Sequence, residues 1–179
     1  TAKAFWKDVI PHRLDVLLEG IDIFKDFLVI SERKNGLNQI KIKRWDGTGQ
    51  YYLPFESETY TAYTTTNIDF DTNILRYGYQ SMTTPSSMID FNMVTKEKTI
   101  MKEQEVLGGK FNKENYVSER LWATASDGTK IPISIVKHKD TPKHSNTPLL
   151  LYAYGSYGAT IDPYFSTVRL SLLDRGFVY

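Results

Sequence analysis

The sequence predicts a mainly β fold that continues into an α/β part. Between residues 21 and 106, short apolar or alternating runs recur and are separated by turn residues, which is typical of consecutive strands. The aromatic content is 13%, with 12 Tyr and 9 Phe, and these residues favour a pleated, half-buried surface. After residue 106 the pattern changes, because a run that is apolar on both faces is followed by a helix signal.

The first predicted strands come from two different patterns. Residues 27–30 form a continuous apolar run, whereas residues 39–43 alternate, with Ile40 and Ile42 on one face and two lysines on the other. The turn signal Asp-Gly-Thr-Gly at residues 46–49 precedes another run at residues 51–53.

Four further strands are predicted from similar runs between loop residues. They lie at residues 62–66, 74–82, 88–94 and 99–105. Within them, two apolar faces are predicted: Leu75, Tyr77 and Tyr79, and Ile89, Phe91 and Met93. A spacing of about 8–12 residues fits a sandwich, a barrel or propeller blades, and the rhythm alone does not choose among them.

The part after residue 106 begins with a polar stretch, residues 108–116, which predicts a linker or crossover. Strands are then predicted at residues 121–125 and 131–136, joined by a Ser-Asp-Gly-Thr turn. Pro132 cannot donate to a neighbouring strand, so it predicts that the second strand starts or lies at a sheet edge.

The last thirty residues predict an unfinished α/β unit. Residues 149–154 are apolar on both faces, as in an interior strand of a helix-covered sheet. Ser166 is the predicted N-cap of a helix whose apolar face contains Phe165, Val168 and Leu172, and Gly176 is its predicted C′ residue. Another apolar run begins at residue 177 and the given sequence ends inside it, so we expect the domain to be unfinished at this point.

Composition excludes several function classes. Lys and Arg number 22 and Asp and Glu 21, so no charge excess predicts a nucleic acid or a membrane as partner. The absence of cysteine excludes disulfides, thiolate nucleophiles and cysteine metal sites. No apolar run reaches 18 residues and no signal-peptide pattern opens the chain, so we expect a cytoplasmic protein, with the periplasm as the alternative. Because no Met opens the chain, an internal start is the simplest expectation.

Ser156 is a candidate nucleophile that the sequence argues against. The G-x-S-x-G elbow requires glycine two residues before the serine, and Tyr154 occupies that position, although Gly158 matches the other side. A triad of Ser156 with His144 and Asp162 is rejected, because His144 lies in a polar loop where a solvated histidine is expected. Ser156 is therefore interpreted as a turn residue.

Metal and phosphate sites are not predicted either. The three histidines are scattered without metal-ligand spacing. Asp69 and Asp71 lie in a predicted loop, which favours solvated carboxylates over a calcium site. Gly108 and Gly109 lack a phosphate-binding pattern, and we expect no cofactor.

Several stretches resemble oligopeptidase B (protease II), a branch of the prolyl oligopeptidase family of serine peptidases. The resemblance is strongest at residues 116–134 and at residues 152–159 (YAYGSYGA), followed by residues 161–163 and 172–176. Upstream, residues 10–13 and 31–37 are similar to parts of that family's β-propeller.

The resemblance implies a seven-bladed propeller joined to an α/β-hydrolase domain. Residues 1–105 would form the last two to three blades, at about 40–45 residues each. Residues 106–179 would form the first strands and helix of the hydrolase domain, truncated before its nucleophile.

The resemblance also implies site residues. Tyr154 matches the tyrosine before the glycine-containing turn, whose hydroxyl donates to the oxyanion hole. Tyr157 matches an aromatic residue that lines the substrate pocket. Asp162 matches an acidic residue that contacts a basic substrate, while Tyr164 replaces the second acid found in those relatives.

The implied activity is hydrolysis of short peptides after Arg or Lys through an acyl-enzyme, with basic peptides and the rest of a longer chain as partners. The serine nucleophile, its Asp and its His would lie beyond residue 179, so we expect this chain alone to be inactive. Two alternatives stay open. One is a non-enzymatic β-rich binding module, which the predicted strand and helix of the last thirty residues disfavour. The other is a prolyl-specific member of the family, which Ser156 and Tyr157 disfavour because prolyl enzymes tend to carry Gly-Phe there.

Overall fold

The computed structural model describes residues 2–109 and 111–179. Within them, ten strands form three antiparallel sheets, accompanied by one α-helix. The strands are β1 (Leu17–Ile23), β2 (Phe27–Lys34), β3 (Leu37–Arg44), β4 (Gln50–Tyr52), β5 (Tyr60–Thr64), β6 (Ile74–Ser81), β7 (Ser87–Asn92), β8 (Lys98–Glu103), β9 (Tyr116–Thr124) and β10 (Lys130–His138), and the helix is α1 (Thr167–Leu173). Short 3₁₀ turns occupy Lys3–Phe5 and Lys113–Asn115. The described chain contains no helix long and apolar enough to cross a membrane.

The first eight strands form two four-stranded sheets in sequence order. The first sheet is β1-β2-β3-β4 and the second sheet is β5-β6-β7-β8, each a meander of neighbouring antiparallel strands. The predicted strands of this region are all present, so the mainly β prediction is confirmed. The sequence analysis missed β1, because its apolar residues are exposed and Gly20 interrupts it beside a shift in register.

One hydrophobic core, the sheet cluster, joins the two sheets. The alternation predicted for β3 is confirmed, since Ile40 and Ile42 are both buried, and the predicted faces of β6 and β7 enter the same core. Its buried members are Phe24, Phe27, Val29, Ile40, Ile42, Leu53, Tyr60, Ala62, Leu75, Tyr77, Ile89, Phe91 and Met93. The buried apolar side chains of both sheets therefore stabilise them together.

A buried carboxylate ties the N-terminal segment to the first sheet. Glu32 in β2 is fully buried, forms an ion pair with Arg13 and accepts a 3.0 Å hydrogen bond from the Tyr52 hydroxyl. The ion pair holds the pKa of Arg13 above its usual value through the hydrogen bond to Glu32 and a second one to Tyr52. A buried charge needs such partners, because an unpaired carboxylate would be costly to remove from water.

The third sheet is the β9–β10 hairpin. Its strands pair over nine residues, and the predicted turn is confirmed: Gly128 has φ of 87° and the Asp127 carboxylate accepts a 2.9 Å hydrogen bond from the Thr129 backbone N–H. Because the described sheet has two strands, Pro132 lies on an edge as predicted.

The strand predicted at residues 149–154 is not present, and this part of the prediction is wrong for the described chain. Leu149 forms a single parallel bridge with Val178, and the following residues are exposed without strand pairing. A strand that is apolar on both faces needs neighbours on both sides and cover above and below. Within the described residues, no strand or helix provides them.

The predicted helix is confirmed at both ends. The Ser166 side chain accepts a 3.3 Å hydrogen bond from the Arg169 backbone N–H, and Gly176 has φ of 86°. The N–H groups of Gly176 and Phe177 donate to the carbonyls of Leu173 and Leu172, which is the Schellman arrangement.

The predicted apolar face of the helix is only partly correct. Phe165 is buried, but Val168 is exposed, and Leu173 enters the core instead, beside a buried Arg169 whose guanidinium lies over Tyr179. Leu173 packs with Val136 of β10 and Met82 from the end of the second sheet. The helix is therefore turned from the predicted orientation so that it packs against β10.

Candidate functional site

The three predicted site residues lie on the segment 152–164, between the Leu149 bridge and α1. Tyr154 is 51% exposed. Within the described residues its hydroxyl has no hydrogen-bond partner, and the segment around it is not part of a strand. An exposed phenol of this kind can donate a hydrogen bond to an oxyanion that is brought next to it.

Tyr157 lies in a tight turn formed by residues 156–159. The Ala159 N–H donates to the Ser156 carbonyl at 3.0 Å, and both central residues have positive φ, 57° at Tyr157 and 68° at Gly158. Glycine adopts this conformation at little cost, but a tyrosine with positive φ is a strained backbone, which is common at functional sites. The Tyr157 side chain is 99% exposed. Ser156 is thus a turn residue, as its sequence context predicted.

Asp162 is bound by an arginine of the first sheet. The Arg33 guanidinium of β2 donates through Nη1 to Oδ1 at 2.6 Å and through Nη2 to Oδ2 at 3.3 Å. Its Nε donates to the Glu19 carboxylate of β1 at 2.7 Å. Although burial alone would lower the pKa of Arg33, the hydrogen bonds to Asp162 and Glu19 raise it above its usual value. Arg33 therefore stays charged between two carboxylates.

The segment is fixed to the rest of the molecule just after Asp162. The Phe165 backbone N–H donates to the Gln80 side chain of β6 at 3.0 Å, and its buried ring packs edge-on against Phe111 with centroids 5.3 Å apart. Residues 154–159, by contrast, are exposed throughout. Tyr154 and Tyr157 are therefore presented to solvent, while Asp162 is held against the first sheet.

A second arginine joins the β9–β10 hairpin to the first sheet, at the turn between β2 and β3. Arg120 of β9 donates through Nη2 to the Asn35 carbonyl at 2.6 Å and through Nη1 to the Ser134 hydroxyl at 3.0 Å. Burial lowers the pKa of Arg120. The sequence analysis missed both Arg33 and Arg120. Neither arginine lay within a predicted strand, since those strands were placed at residues 27–30 and 121–125, and the partial burial of both positions is seen only in the structure.

The rejected triad has no support from the contacts. Among the hydrogen bonds of the described residues, none joins Ser156 to His144 or Asp162. His144 Nδ1 instead accepts from the Asn146 N–H at 3.2 Å within its own loop. The described residues contain no group of three or more potential metal ligands. Asp71, which the sequence placed in a loop, pairs with Lys25 at 2.8 Å.

An open groove of about 460 Å³ lies between the β9–β10 hairpin, the loop at residues 142–147 and the Leu149–Val178 bridge. Leu121, Ile135, Leu149 and Val178 contribute its apolar wall. Lys137 also lines it and donates through Nζ to the Thr141 carbonyl at 2.6 Å. The rest of its lining is mostly polar or charged and includes Glu119, Lys143 and His144, but none of the three predicted site residues lines it.

Comparison with known proteins matches residues 1–104 to the model of the prolyl oligopeptidase N-terminal β-propeller domain. The chain is 44% identical over its full length to dipeptidyl aminopeptidase BI of Pseudoxanthomonas mexicana and 33% identical over 96% of its length to protease 2 of Moraxella lacunata. It spans about a quarter of the length of these relatives, 24% of each.

Solved structures agree with this match. Oligopeptidase B from Trypanosoma brucei, a closed form with covalently bound antipain, superposes with a TM-score of 0.86 at 35% identity, over 95% of this chain and 25% of that one. A prolyl endopeptidase structure superposes with a TM-score of 0.84 at 25% identity, over 99% of this chain and 26% of the other. On the family model and these relatives together, the chain belongs to the prolyl oligopeptidase family, whose N-terminal β-propeller region it contains.

Proposed function

We propose that the chain is part of a longer serine oligopeptidase that hydrolyses short peptides after Arg or Lys through an acyl-enzyme. The observation that carries this proposal is the graded similarity within the family. Identity is 44% with dipeptidyl aminopeptidase BI and 33–36% with protease 2 and two oligopeptidase B structures, against 25–29% with prolyl endopeptidases, which favours a branch other than the prolyl-specific one. The covalently bound antipain of one of these relatives supports a covalent mechanism for the branch.

Residues 1–105 would supply the last blades of a seven-bladed propeller, and residues 106–179 the first part of an α/β-hydrolase domain. Two sheets of four strands are the unit expected of propeller blades. The parallel bridge between Leu149 and Val178, with α1 between them in sequence, supports the start of a parallel α/β sheet. Leu149, Leu150 and Leu151 are exposed, and such an apolar patch favours cover by the remaining part of the longer enzyme.

The proposed role of Tyr154 follows from acyl-transfer chemistry. Attack on the scissile carbonyl places negative charge on its oxygen, and a fixed O–H donor at that position stabilises the transition state more than the substrate. Tyr157 would line the pocket as an exposed aromatic surface, and Asp162 would supply negative charge for a basic side chain. The nucleophile and its base would come from the remaining part of the longer enzyme.

The direct test is hydrolysis of blocked arginyl-aminomethylcoumarin substrates. We expect activity from the full-length enzyme and none from the 179-residue chain, which has no G-x-S-x-G elbow. Turnover by the isolated chain would refute the proposal that the nucleophile lies in the remaining part of the longer enzyme. Absence of turnover by the full-length enzyme with Arg and Lys substrates would refute the proposed activity.

The role of Tyr154 is tested by Tyr154→Phe in the full-length enzyme. Removal of one oxyanion donor lowers kcat by about 10²–10³-fold with little change in KM, since the interaction forms in the transition state. The matched control is Tyr152→Phe, because Tyr152 is an exposed tyrosine of the same segment. Equal losses in both variants would contradict a specific role for Tyr154.

A prolyl-specific activity is the second candidate, favoured by the prolyl endopeptidase relatives at 29% identity. The relative named dipeptidyl aminopeptidase BI adds the release of N-terminal dipeptides as a third outcome. Substrates with Pro or Arg at the cleaved position, each with a free or a blocked N-terminus, separate the three. Preference for blocked Arg substrates supports the proposal over both alternatives.

A further inference from the structure

The ion pair between Arg33 and Asp162 bears on how the proposed site would select its substrates. It joins β2 of the first sheet to the segment that carries Tyr154 and Tyr157. The two Arg33 Nη atoms are each directed at a different carboxylate oxygen of Asp162, so one guanidinium engages both oxygens. This is the fork geometry that a basic substrate side chain would also use.

The burial of the pair makes the contact stronger than an ordinary surface ion pair. The Arg33 side chain is 14% exposed and that of Asp162 is 30% exposed. Charges at this depth are screened less by salt than fully exposed ones. A cation that approaches Asp162 from solvent therefore meets a carboxylate that is already paired with an arginine.

Arg33 is shared between two carboxylates, so its removal would leave negative charge for another cation to bind. Arg33 bridges Asp162 and Glu19, and Glu19 also accepts a 2.7 Å hydrogen bond from the Asn38 side chain. One positive charge thus serves two carboxylates. Without the guanidinium, Asp162 would be left to attract a basic group from solvent.

We propose that Arg33 sets substrate selectivity by acting as an internal counterion that competes with a basic substrate side chain for Asp162. Asp162 then contributes little selectivity for basic residues beyond the cleaved position as long as Arg33 holds it. The inference rests on the proposed function, because it assigns Asp162 to the substrate side of the site. Position 164, where the relatives carry a second acid, is a tyrosine in this chain. Asp162 is therefore the carboxylate for which Arg33 and a basic substrate side chain compete.

The test compares two blocked dipeptides with free carboxylates, acetyl-Arg-Arg and acetyl-Ala-Arg, whose binding to the full-length enzyme is measured by calorimetry. Because acetyl-Arg-Arg keeps one peptide bond after an Arg, all of these affinities are measured in full-length enzyme whose nucleophilic serine is replaced by alanine, so binding is measured independently of activity. In Arg33→Met, we expect acetyl-Arg-Arg to bind about three- to tenfold more tightly while acetyl-Ala-Arg is unchanged, the size of one gained charge contact. The gain should shrink at high salt.

Two further variants show whether the gain passes through Asp162. Asp162→Asn added to Arg33→Met should abolish the gain, as a double-mutant cycle requires. Arg33→Lys, which keeps the charge but not the fork, should give an intermediate gain. The matched control is Arg76→Met, because Arg76 forms a similar two-point ion pair with Asp90 on the second sheet. This control should leave both affinities unchanged.

Several results would overturn the inference. One is an affinity for acetyl-Arg-Arg that is unchanged in Arg33→Met, and another is an equal gain for both ligands. A third is a weaker affinity for acetyl-Arg-Arg, which would make Arg33 a positioning residue for Asp162. If Arg33→Met fails to fold, Asp162→Asn alone decides: competition predicts less than about a threefold loss for acetyl-Arg-Arg, and a larger loss refutes it. Failure of the proposed function is a separate observation, the absence of arginyl-aminomethylcoumarin hydrolysis.

Discussion

The turn between β2 and β3 and the turn at residues 156–159 have the same backbone signature in opposite surroundings. Each has positive φ at both central residues, Asn35 and Gly36 in the first and Tyr157 and Gly158 in the second. The Gly36 turn is packed against Arg120 and Pro132 of the β9–β10 hairpin. A Cβ on Gly158 would meet no atom within 4 Å.

The same contrast separates the larger regions to which the turns belong. The first and second sheets pair their strands in sequence and share one buried core. Residues 150–161 are equally apolar in places but lie exposed, with strand-type pairing reduced to the bridge at Leu149. The comparison teaches that local turn chemistry is present in both regions, whereas stability comes from the contacts around it.

High pH should produce the largest difference between the regions. Burial raises the pKa of Tyr51, Tyr60 and Tyr77 in the sheets to about 12, above an unfolded value of about 10. A raised folded pKa means that the unfolded chain loses its protons first, so stability is full below about pH 10 and falls as pH rises towards 12. Urea midpoints measured by circular dichroism at pH 8, 10 and 11 should therefore decrease.

The control for this pH effect is Tyr77→Phe, which keeps the ring and removes the ionisable hydroxyl. This variant should lose less stability between pH 10 and 12 than the original chain. An unchanged urea midpoint up to pH 11 in the original chain would show that these hydroxyls do not sustain the sheets.

Truncation of apolar side chains should give the next largest difference. Phe91 is buried in the sheet cluster with its ring edge-on to Tyr51, and Phe91→Ala should lower the free energy of unfolding by about 3–5 kcal/mol. Leu151 is exposed, and Leu151→Ala should change it by less than about 0.5 kcal/mol. Urea denaturation of both variants measures this, and similar losses would contradict the contrast between the regions.

The two turns themselves should give the smallest difference. Alanine at either glycine meets the cost of positive φ, about 1–2 kcal/mol. At Gly36 the new Cβ would also lie 2.9 Å from Arg120 Nη2 and 3.2 Å from Pro132 Cγ, and Arg120 cannot move freely because it binds the Asn35 carbonyl. Gly36→Ala should therefore destabilise more than Gly158→Ala in thermal unfolding, and equal shifts of Tm would refute the packing argument.

The sequence predicted the sheets well because their signals are local. Alternation at Ile40 and Ile42, and glycine or aspartate at the turns, depend on neighbours in the chain. The strand β1 was missed because Gly20 interrupts its apolar pattern. The structure shows that its apolar residues are exposed, so its pattern is not the one expected of a strand that faces a core. The helix ends were correct for the same local reason, whereas its buried face depended on β10 and was partly wrong.

The candidate site was less predictable from sequence. Tyr154, Tyr157 and Asp162 came from family resemblance, and their roles stay predictions. The arginine that holds Asp162 lies 129 residues away in the chain, and no periodicity or motif connects positions so far apart. Long-range ion pairs of this kind become visible only when the fold brings two regions together.

The distances along the chain between Arg33 and Asp162, and between Asn35 and Arg120, also bear on the order in which the molecule folds. These contacts close loops of 129 and 85 residues, whereas the β2–β3 hairpin closes across two. A contact between distant residues loses more chain entropy on loop closure than a contact between neighbours, by about 0.6 kcal/mol for each doubling of loop length. The hairpins of each sheet therefore form early, and the two arginine contacts complete the native state by docking units that already exist.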